Sequence, residues 1–282
     1  MKITETIHAI KHPFRLALGE GRYVDRFVYS YILCGKKICL IDAGVSTTSS
    51  ILQDYLKKLG RSPEEISFVL LTHAHPDHIG GCLSIKKISS ASFAAHPKDK
   101  PWIEDVEKQY RERPALNFFE LVGGPVPVDR DLKDGEVIPW DKGRNLRVLE
   151  TPGHSLGSVS FFYDEEGALF SGDAIPAVGT LPIYVDPQVS IKSIRKLQKL
   201  SGLKHLLSSW HEPISGSQIT SIMEEGIHYI ERIDRIVTDL SKKLPPTASL
   251  EELSLLALER LGIKVPKVLP MVMASFEAHR KK

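Results

Sequence analysis

The chain has 282 residues, 42% of them apolar and 26% charged, with a formal net charge of +2. That is enough for one large domain with a small appendage, in the composition of a soluble globular protein. It excludes a global basic field that would gather nucleic acid, and no apolar run reaches bilayer length. The amino terminus lacks the basic-then-apolar design of a signal peptide, and three cysteines (Cys34, Cys39, Cys82) form no paired framework, so a cytoplasmic setting without membrane association is expected.

In chain order, the first clear strand is Tyr29–Leu33, followed by a hairpin turn at Gly35-Lys36-Lys37 and a second strand, Ile38–Ile41, that ends in Asp42-Ala43-Gly44. Cys34 and Cys39 flank the turn and read as small core residues. A helix is expected from about Thr47 to Leu59, with Asp42 a candidate for its capping residue. Ser62-Pro63-Glu64-Glu65 signals a turn or helix start. The run Ile66–Leu71 is β-branched and aromatic enough for a buried strand.

That strand delivers the most informative stretch of the chain, Thr72-His73-Ala74-His75-Pro76-Asp77-His78-Ile79-Gly80-Gly81. His73 and His75 lie two apart in extended chain and point to one side. The turn at Pro76 brings Asp77 and His78 round from another direction. Imidazole and carboxylate donors on two vectors suit a pair of borderline divalent ions, zinc above all. Cys82, next to this motif, reads as packing. Between Pro97 and Asp129 regular pattern is lost: a helix is plausible at Trp102–Arg111, and Gly123 to Pro127 is a loop.

Three further strand ends carry metal-ligand residue types. Leu146–Leu149 leads into the turn Thr151-Pro152-Gly153-His154, the strand from Leu169 ends in Gly172-Asp173, and the one from His205 ends in His211. Between them, Ala174 to Asp186 is an apolar loop in which Tyr184 is the best-placed donor for an oxyanion or substrate carbonyl. Pro187 to Gly202 follows as an amphipathic helix. Beyond Ser215 the chain turns helical: a long helix through Ile219–Leu240, a break at Pro245-Pro246, a second helix opened by the capping box Ser249-Leu250-Glu251-Glu252 and stopped at Gly262, and a third from about Pro266 to Lys282. The remaining histidines (His8, His12, His96, His205, His228, His279) need only surface or satisfied-core roles.

This order of motifs, His-x-His-x-Asp-His, then a Thr-Pro-Gly-His turn, then Gly-Asp, then a late His, resembles the metallo-β-lactamase superfamily over residues 1–215. The resemblance implies an α/β fold, a four-layer αββα sandwich, carrying a small all-helical appendage over residues 216–282. It implies that His73, His75 and His154 hold one divalent ion, that Asp77, His78 and His211 hold a second, and that Asp173 bridges both. Zinc is favoured, with iron or manganese as alternatives. It further implies a metal-bridging hydroxide as nucleophile, oriented by Asp77, and places Asp42 beneath the site as a carboxylate that could hold a ligand histidine through its other ring nitrogen.

The function so implied is hydrolysis of an ester, thioester or lactone in a small-molecule substrate. His211-Glu212 and the helical tail match hydroxyacylglutathione hydrolases. The Lys that those enzymes place in the loop before Tyr184 is missing, which counts against glutathione itself. The alternative is a phosphodiesterase or single-strand endoribonuclease, for which Lys98, Lys100, Lys108, Arg111 and Arg113 among Trp102 and Tyr110 would form the basic track, although interleaved carboxylates cancel much of its charge. An iron-dependent sulfur dioxygenase and a non-catalytic binding protein stand further off. The sequence does not speak to oligomeric state.

Overall fold

The computed structural model describes residues 1–19, 22–265 and 267–280. Twelve described strands fall into two six-stranded sheets that follow chain order. The first holds β1 (Ile7–Gly19), β2 (Arg22–Cys34), β3 (Ile38–Ile41), β4 (Ile66–Leu70), β5 (Ser92–Ala95) and β6 (Arg130–Asp131). The second holds β7 (Val137–Asp141), β8 (Arg144–Glu150), β9 (Val159–Tyr163), β10 (Ala168–Gly172), β11 (His205–Ser208) and β12 (Ile214–Ser215). Pairing is antiparallel from β1 to β3 and parallel from β3 to β6. In the second sheet only β10 and β11 run parallel.

Strand periodicity of two explains how the sheets stack. On β3, Cys39 and Ile41 face the space between the sheets, while Ile38 and Leu40 face outward. On β9, Phe161 points inward and Phe162 outward; on β10, Phe170 inward and Leu169 outward. Each sheet therefore has two apolar faces and needs a helical layer outside. The first sheet is covered by α1 (Thr48–Lys58), by α3 (Cys82–Ile88), which follows the single turn α2 (Pro76–Ile79), and by the short helices α4 (Lys100–Glu104), α5 (Val106–Glu112) and α6 (Phe118–Leu121). The second is covered by α7 (Pro187–Gln198) and the carboxy-terminal helices α8 (Gln218–Lys243), α9 (Leu250–Leu261) and α10 (Pro270–Arg280). This is the four-layer αββα sandwich, with helices following the sheets. Cys39 and Cys82 are buried packing residues, and none of the three cysteines is bridged.

Several boundaries differ from the sequence expectation. The strand read at Tyr29–Leu33 is the end of a 13-residue strand paired with β1, which the pattern did not reveal. The helix expected over Trp102–Arg111 is two helices, because Asp105 leaves helical backbone and its carboxylate accepts the Lys108 N–H to cap α5. The last helix begins at Pro270; Pro266, Lys281 and Lys282, where its expected ends fall, lie outside the described residues. No described helix is long and apolar enough to cross a membrane.

Candidate metal centre

His73, His75, His154 and Asp173 each offer a ligand atom within 4.8 Å of one another. The segment after β4 carries the first two, the β8–β9 turn the third and the end of β10 the fourth, so both sheets contribute. The Nε2 of His154 and Nδ1 of His75 are 2.7 Å apart, and His154 Nε2 lies 3.3 Å from Asp173 Oδ2. His78 stands beside this group, its Nε2 3.3 Å from Asp173 Oδ1 and 3.7 Å from Asp77 Oδ2. His211 is less closely gathered. Its Nδ1 pairs with Ser208 Oγ at 3.0 Å, and it makes no ion pair with a described carboxylate, although Asp173 acts on its charge.

Two motif glycines let these segments approach. Gly172 has φ +50°, and a Cβ there would meet Thr72 Oγ1 at 2.6 Å; Gly153 has φ +131° and would meet the Ser190 backbone. Any larger residue would push the Asp173 or His154 turn away from its neighbour.

Asp42 decides which nitrogens face the centre. It does not cap α1, which starts six residues later with no side-chain cap. Its Oδ1 accepts the Thr72 N–H at 2.7 Å, and its Oδ2 accepts both the Thr72 hydroxyl and His78 Nδ1–H at 2.8 Å. The Thr72 proton being spent on Asp42, Thr72 Oγ1 is left to accept from His73 Nδ1 at 3.0 Å. One carboxylate thus fixes two histidine tautomers, leaving Nε2 of His73 and of His78 turned to the centre. Asp42 itself sits at φ +61°, a strained backbone for a non-glycine residue.

The fit to a divalent ion rests on what these atoms lack. His73 Nε2 is buried with no hydrogen-bond partner, and His78 Nε2 and Asp173 Oδ1, 3.3 Å apart, are buried with no contact besides each other that satisfies them, an arrangement that is costly without something between them. Imidazole and carboxylate are the right donors. Burial pushes His73 and His75 well below the ordinary histidine range and His154 to about 4, so their lone pairs are free at neutral pH. Burial also works against charge on His78, but Asp173, Asp42 and Asp77 overcome it and raise that group. Conversely, burial opposes the Asp173 anion, yet His78 and His154 hold its carboxyl well below the usual range. Burial raises the Asp77 carboxyl.

Tyr184 lines a cavity beside His154. Its hydroxyl is 2.6 Å from His279 Nε2 on α10, its backbone N–H donates to Ser275 Oγ, and it is buried. The phenol therefore ties the loop to the helical tail.

Three contributors escaped sequence reading. Asp99, after β5, is buried and accepts from Ala74 N–H, Ser155 Oγ and Gly157 N–H, all at 2.9 Å, joining the two histidine turns. Gln109 on α5 donates to the Ala74 carbonyl. Trp210 Nε1 donates to Asp173 Oδ2 at 2.9 Å. A strand-end acid such as Asp99 fits the same pattern as the ligands, which was its one available signal.

Beside His154 opens a cavity of about 640 Å³. The loop Ile183–Gln188, the residues after α5 and one face of α10 line it.

The family model described as the metallo-beta-lactamase superfamily matches residues 23–208. The beta-lactamase-like protein 2 homolog of Caenorhabditis elegans is 26% identical over 241 residues, covering 84% of this chain and 74% of the relative. A hydroxyacylglutathione hydrolase of Hyphomonas neptunium is 29% identical over 153 residues, about half of either chain (53% and 51%). A metallo-beta-lactamase family protein of Thermus thermophilus superposes with TM-score 0.75 at 24% identity, covering 99% of this chain and 93% of its own, and so shares the fold with its helical tail. A model match across both sheets, with the motif residues converging where that fold puts its metals, shows that the chain belongs to the metallo-beta-lactamase superfamily and is a hydrolase of that kind.

Proposed function

We propose that the chain hydrolyses an ester, thioester or lactone in a small-molecule substrate, at a centre for two divalent ions of which zinc is the favoured one. The observation that carries this is the convergence of buried donors, His73, His75, His78, His154 and Asp173, with His73 Nε2 left without a hydrogen-bond partner, beside a cavity. His73, His75 and His154 would hold one ion, Asp77, His78 and His211 the other, with Asp173 between them. Ions bound there supply a nucleophilic water at neutral pH and stabilise charge developing on the attacked oxygen.

The rest is work for the protein's own groups. Asp77, besides offering a carboxylate to the second ion, would accept a hydrogen bond from the attacking water and orient it. Asp42, through Thr72 and His78, keeps two imidazoles in the right tautomer. Asp99 holds the His73–His75 segment against the His154 turn, so the donors are organised before substrate arrives. Apolar walls of the cavity, among them Ile183, Val185 and Met271, take the organic body of the substrate and exclude water.

A carbon ester or thioester is favoured over RNA because much of the expected basic track is paired with carboxylates. Lys100 pairs with Asp131, Lys108 with Glu112, and Arg111 lies 3.9 Å from Asp105. The hydroxyacylglutathione hydrolase relatives support the same reading, at low identity. The test is hydrolysis by metal-quantified protein of one simple acyl thioester and one single-stranded RNA, beside the Asp77→Ala variant. Thioester turnover that drops at least about 100-fold in Asp77→Ala, with the melting curve retained, is the expected result. RNA cleavage alone, or full activity without Asp77, would overturn it.

A further inference from the structure

Arg113 is a cation that the fold leaves without a matching anion. It follows α5 and points into the cavity beside His154, where no other described lysine or arginine is found. Among the described residues its guanidinium has no carboxylate within ion-pair distance; its side-chain hydrogen bond goes to the Met271 thioether at 3.8 Å, a weak acceptor. Both carboxylates of the cavity wall are occupied elsewhere. Glu112 accepts from Trp102 Nε1 and Lys108 Nζ, and Asp186 accepts from the Gln188 and Val189 N–H groups at the start of α7. The carboxylates whose charge reaches Arg113, Asp77 and Asp173 first and then Asp99, belong to the metal centre or to its scaffold. Ions seated at that centre would neutralise Asp77 and Asp173, leaving Arg113 more strongly uncompensated.

A guanidinium in this position has little structural reason to exist. The Arg113 backbone closes α5 by donating its N–H to the Gln109 carbonyl, but the guanidinium takes no part in that cap, makes no ion pair among the described residues and is partly buried, which costs free energy unless an anion arrives. Its planar fork suits a carboxylate or phosphate oxygen pair. Around it the wall is apolar or small: Ile183, Val185, Met271, Ala274 and Ala278. An anion alone would not fill about 640 Å³, and a purely apolar molecule would leave Arg113 dry and unpaired.

We propose that Arg113 is the specificity-determining residue for an anionic group, of the carboxylate class, borne by the acyl part of an otherwise apolar substrate and held at a distance from the bond that is cut. The inference rests on the hydrolase reading above for its substrate but not for its binding contact. α10 is then part of the recognition wall, which gives the helical tail a role in substrate choice.

The test has two arms. In the first, metal-loaded protein hydrolyses two thioesters of one thiol, glutaryl and pentanoyl, which differ only in the terminal carboxylate. Wild type is expected to favour glutaryl by at least about tenfold in kcat/KM, mainly through KM; Arg113→Met should bring the two within about twofold of each other, and Arg113→Lys should keep part of the preference. In the second, Trp102 fluorescence reports binding of 4-phenylbutyrate and its neutral amide to the same three metal-loaded proteins. The acid should bind wild type at least about tenfold more tightly, and Arg113→Met should lose that margin. Equal treatment of the two members of either pair by wild type, or a carboxylate preference that survives in Arg113→Met, would overturn the assignment. If neither thioester is cut while the acid binds through Arg113, the hydrolase reading fails and the anion site stands.

Discussion

In the candidate metal centre, neighbouring side chains dictate which nitrogen of a histidine is bare. Asp42→Asn isolates that effect. Asparagine tolerates the φ of +61° and its carbonyl oxygen can still accept the Thr72 N–H, so the backbone should hold. The amide cannot accept from Thr72 and His78 at one oxygen with carboxylate strength. Metal affinity should fall about 10- to 100-fold, read by competition with a chromogenic chelator; an affinity unchanged within twofold would show that the tautomers are set otherwise. A second consequence follows from His78. In the metal-free protein Asp173, Asp42 and Asp77 outweigh burial and keep it protonated above the ordinary range, so an incoming ion must displace that proton. Metal uptake should release protons and weaken as pH falls, measurable by titration in two buffers of different ionisation heat. The candidate ligands were legible in the sequence because they fall in short motifs at strand ends. Asp42 carried two equal readings, cap and scaffold, because its own neighbours in sequence cannot reveal that Thr72 and His78 come back to meet it. The role of Asp99 was hidden for the same reason, since it joins segments far from it along the chain.

Elements in this fold are joined by buried polar contacts that the period-two and helical patterns do not show. His12 on β1 is the clearest case. Fully buried, it pairs with Ser30 on β2 at 2.7 Å and lies 3.3 Å from Thr48 on α1, pinning the long hairpin to the first helix. Burial lowers this histidine to about 4 from its ordinary 6.5. The sign follows directly: below pH 6.5 the unfolded chain takes up a proton that the folded chain refuses. Stability is complete above about 6.5 and is lost as pH falls, until both states are protonated near 4. The single group is worth about 3.5 kcal/mol over that window, at roughly 1.4 kcal/mol for each pH unit. Denaturant unfolding of the metal-free protein at pH 7 and at pH 4.5 measures it, and His12→Asn should flatten the slope by about one proton. An equally steep slope in the variant would place the acid sensitivity elsewhere. The hairpin around His12 was only partly readable, since β1 mixes His8, Lys11, His12, Pro13 and Arg15 with its apolar residues, and Pro13 argues against a strand. The broken helix at Asp105 shows the converse, a local capping preference winning over a helical run of side chains.

At the scale of the molecule, the carboxy-terminal helices do more than cover the second sheet. Phe276 of α10 sits in the same apolar cluster as Leu169 of β10 and Leu206 of β11, the strands that lead to Asp173 and His211. Ser275 brackets Tyr184, donating to its carbonyl and accepting its N–H, both at 3.0 Å, and the Tyr184 hydroxyl meets His279. α10 is thereby locked to the loop that follows the Asp173 turn, and the two together form one wall of the cavity. From sequence the tail was readable as helices by capping and spacing; that it closes the site was not, because the contact joins residues about 90 apart. The substitution that tests this adds bulk to the wall and spares the core. Ala274 is exposed on the cavity face of α10, so Ala274→Trp should fill space that the substrate needs without touching Phe276 or a metal donor. The expected result is a kcat/KM at least about tenfold lower for an acyl thioester, carried mainly by KM, with metal content and thermal midpoint close to wild type. Unimpaired kcat/KM would mean that substrate reaches the centre by a route that does not pass α10, and the tail would then return to a packing role alone.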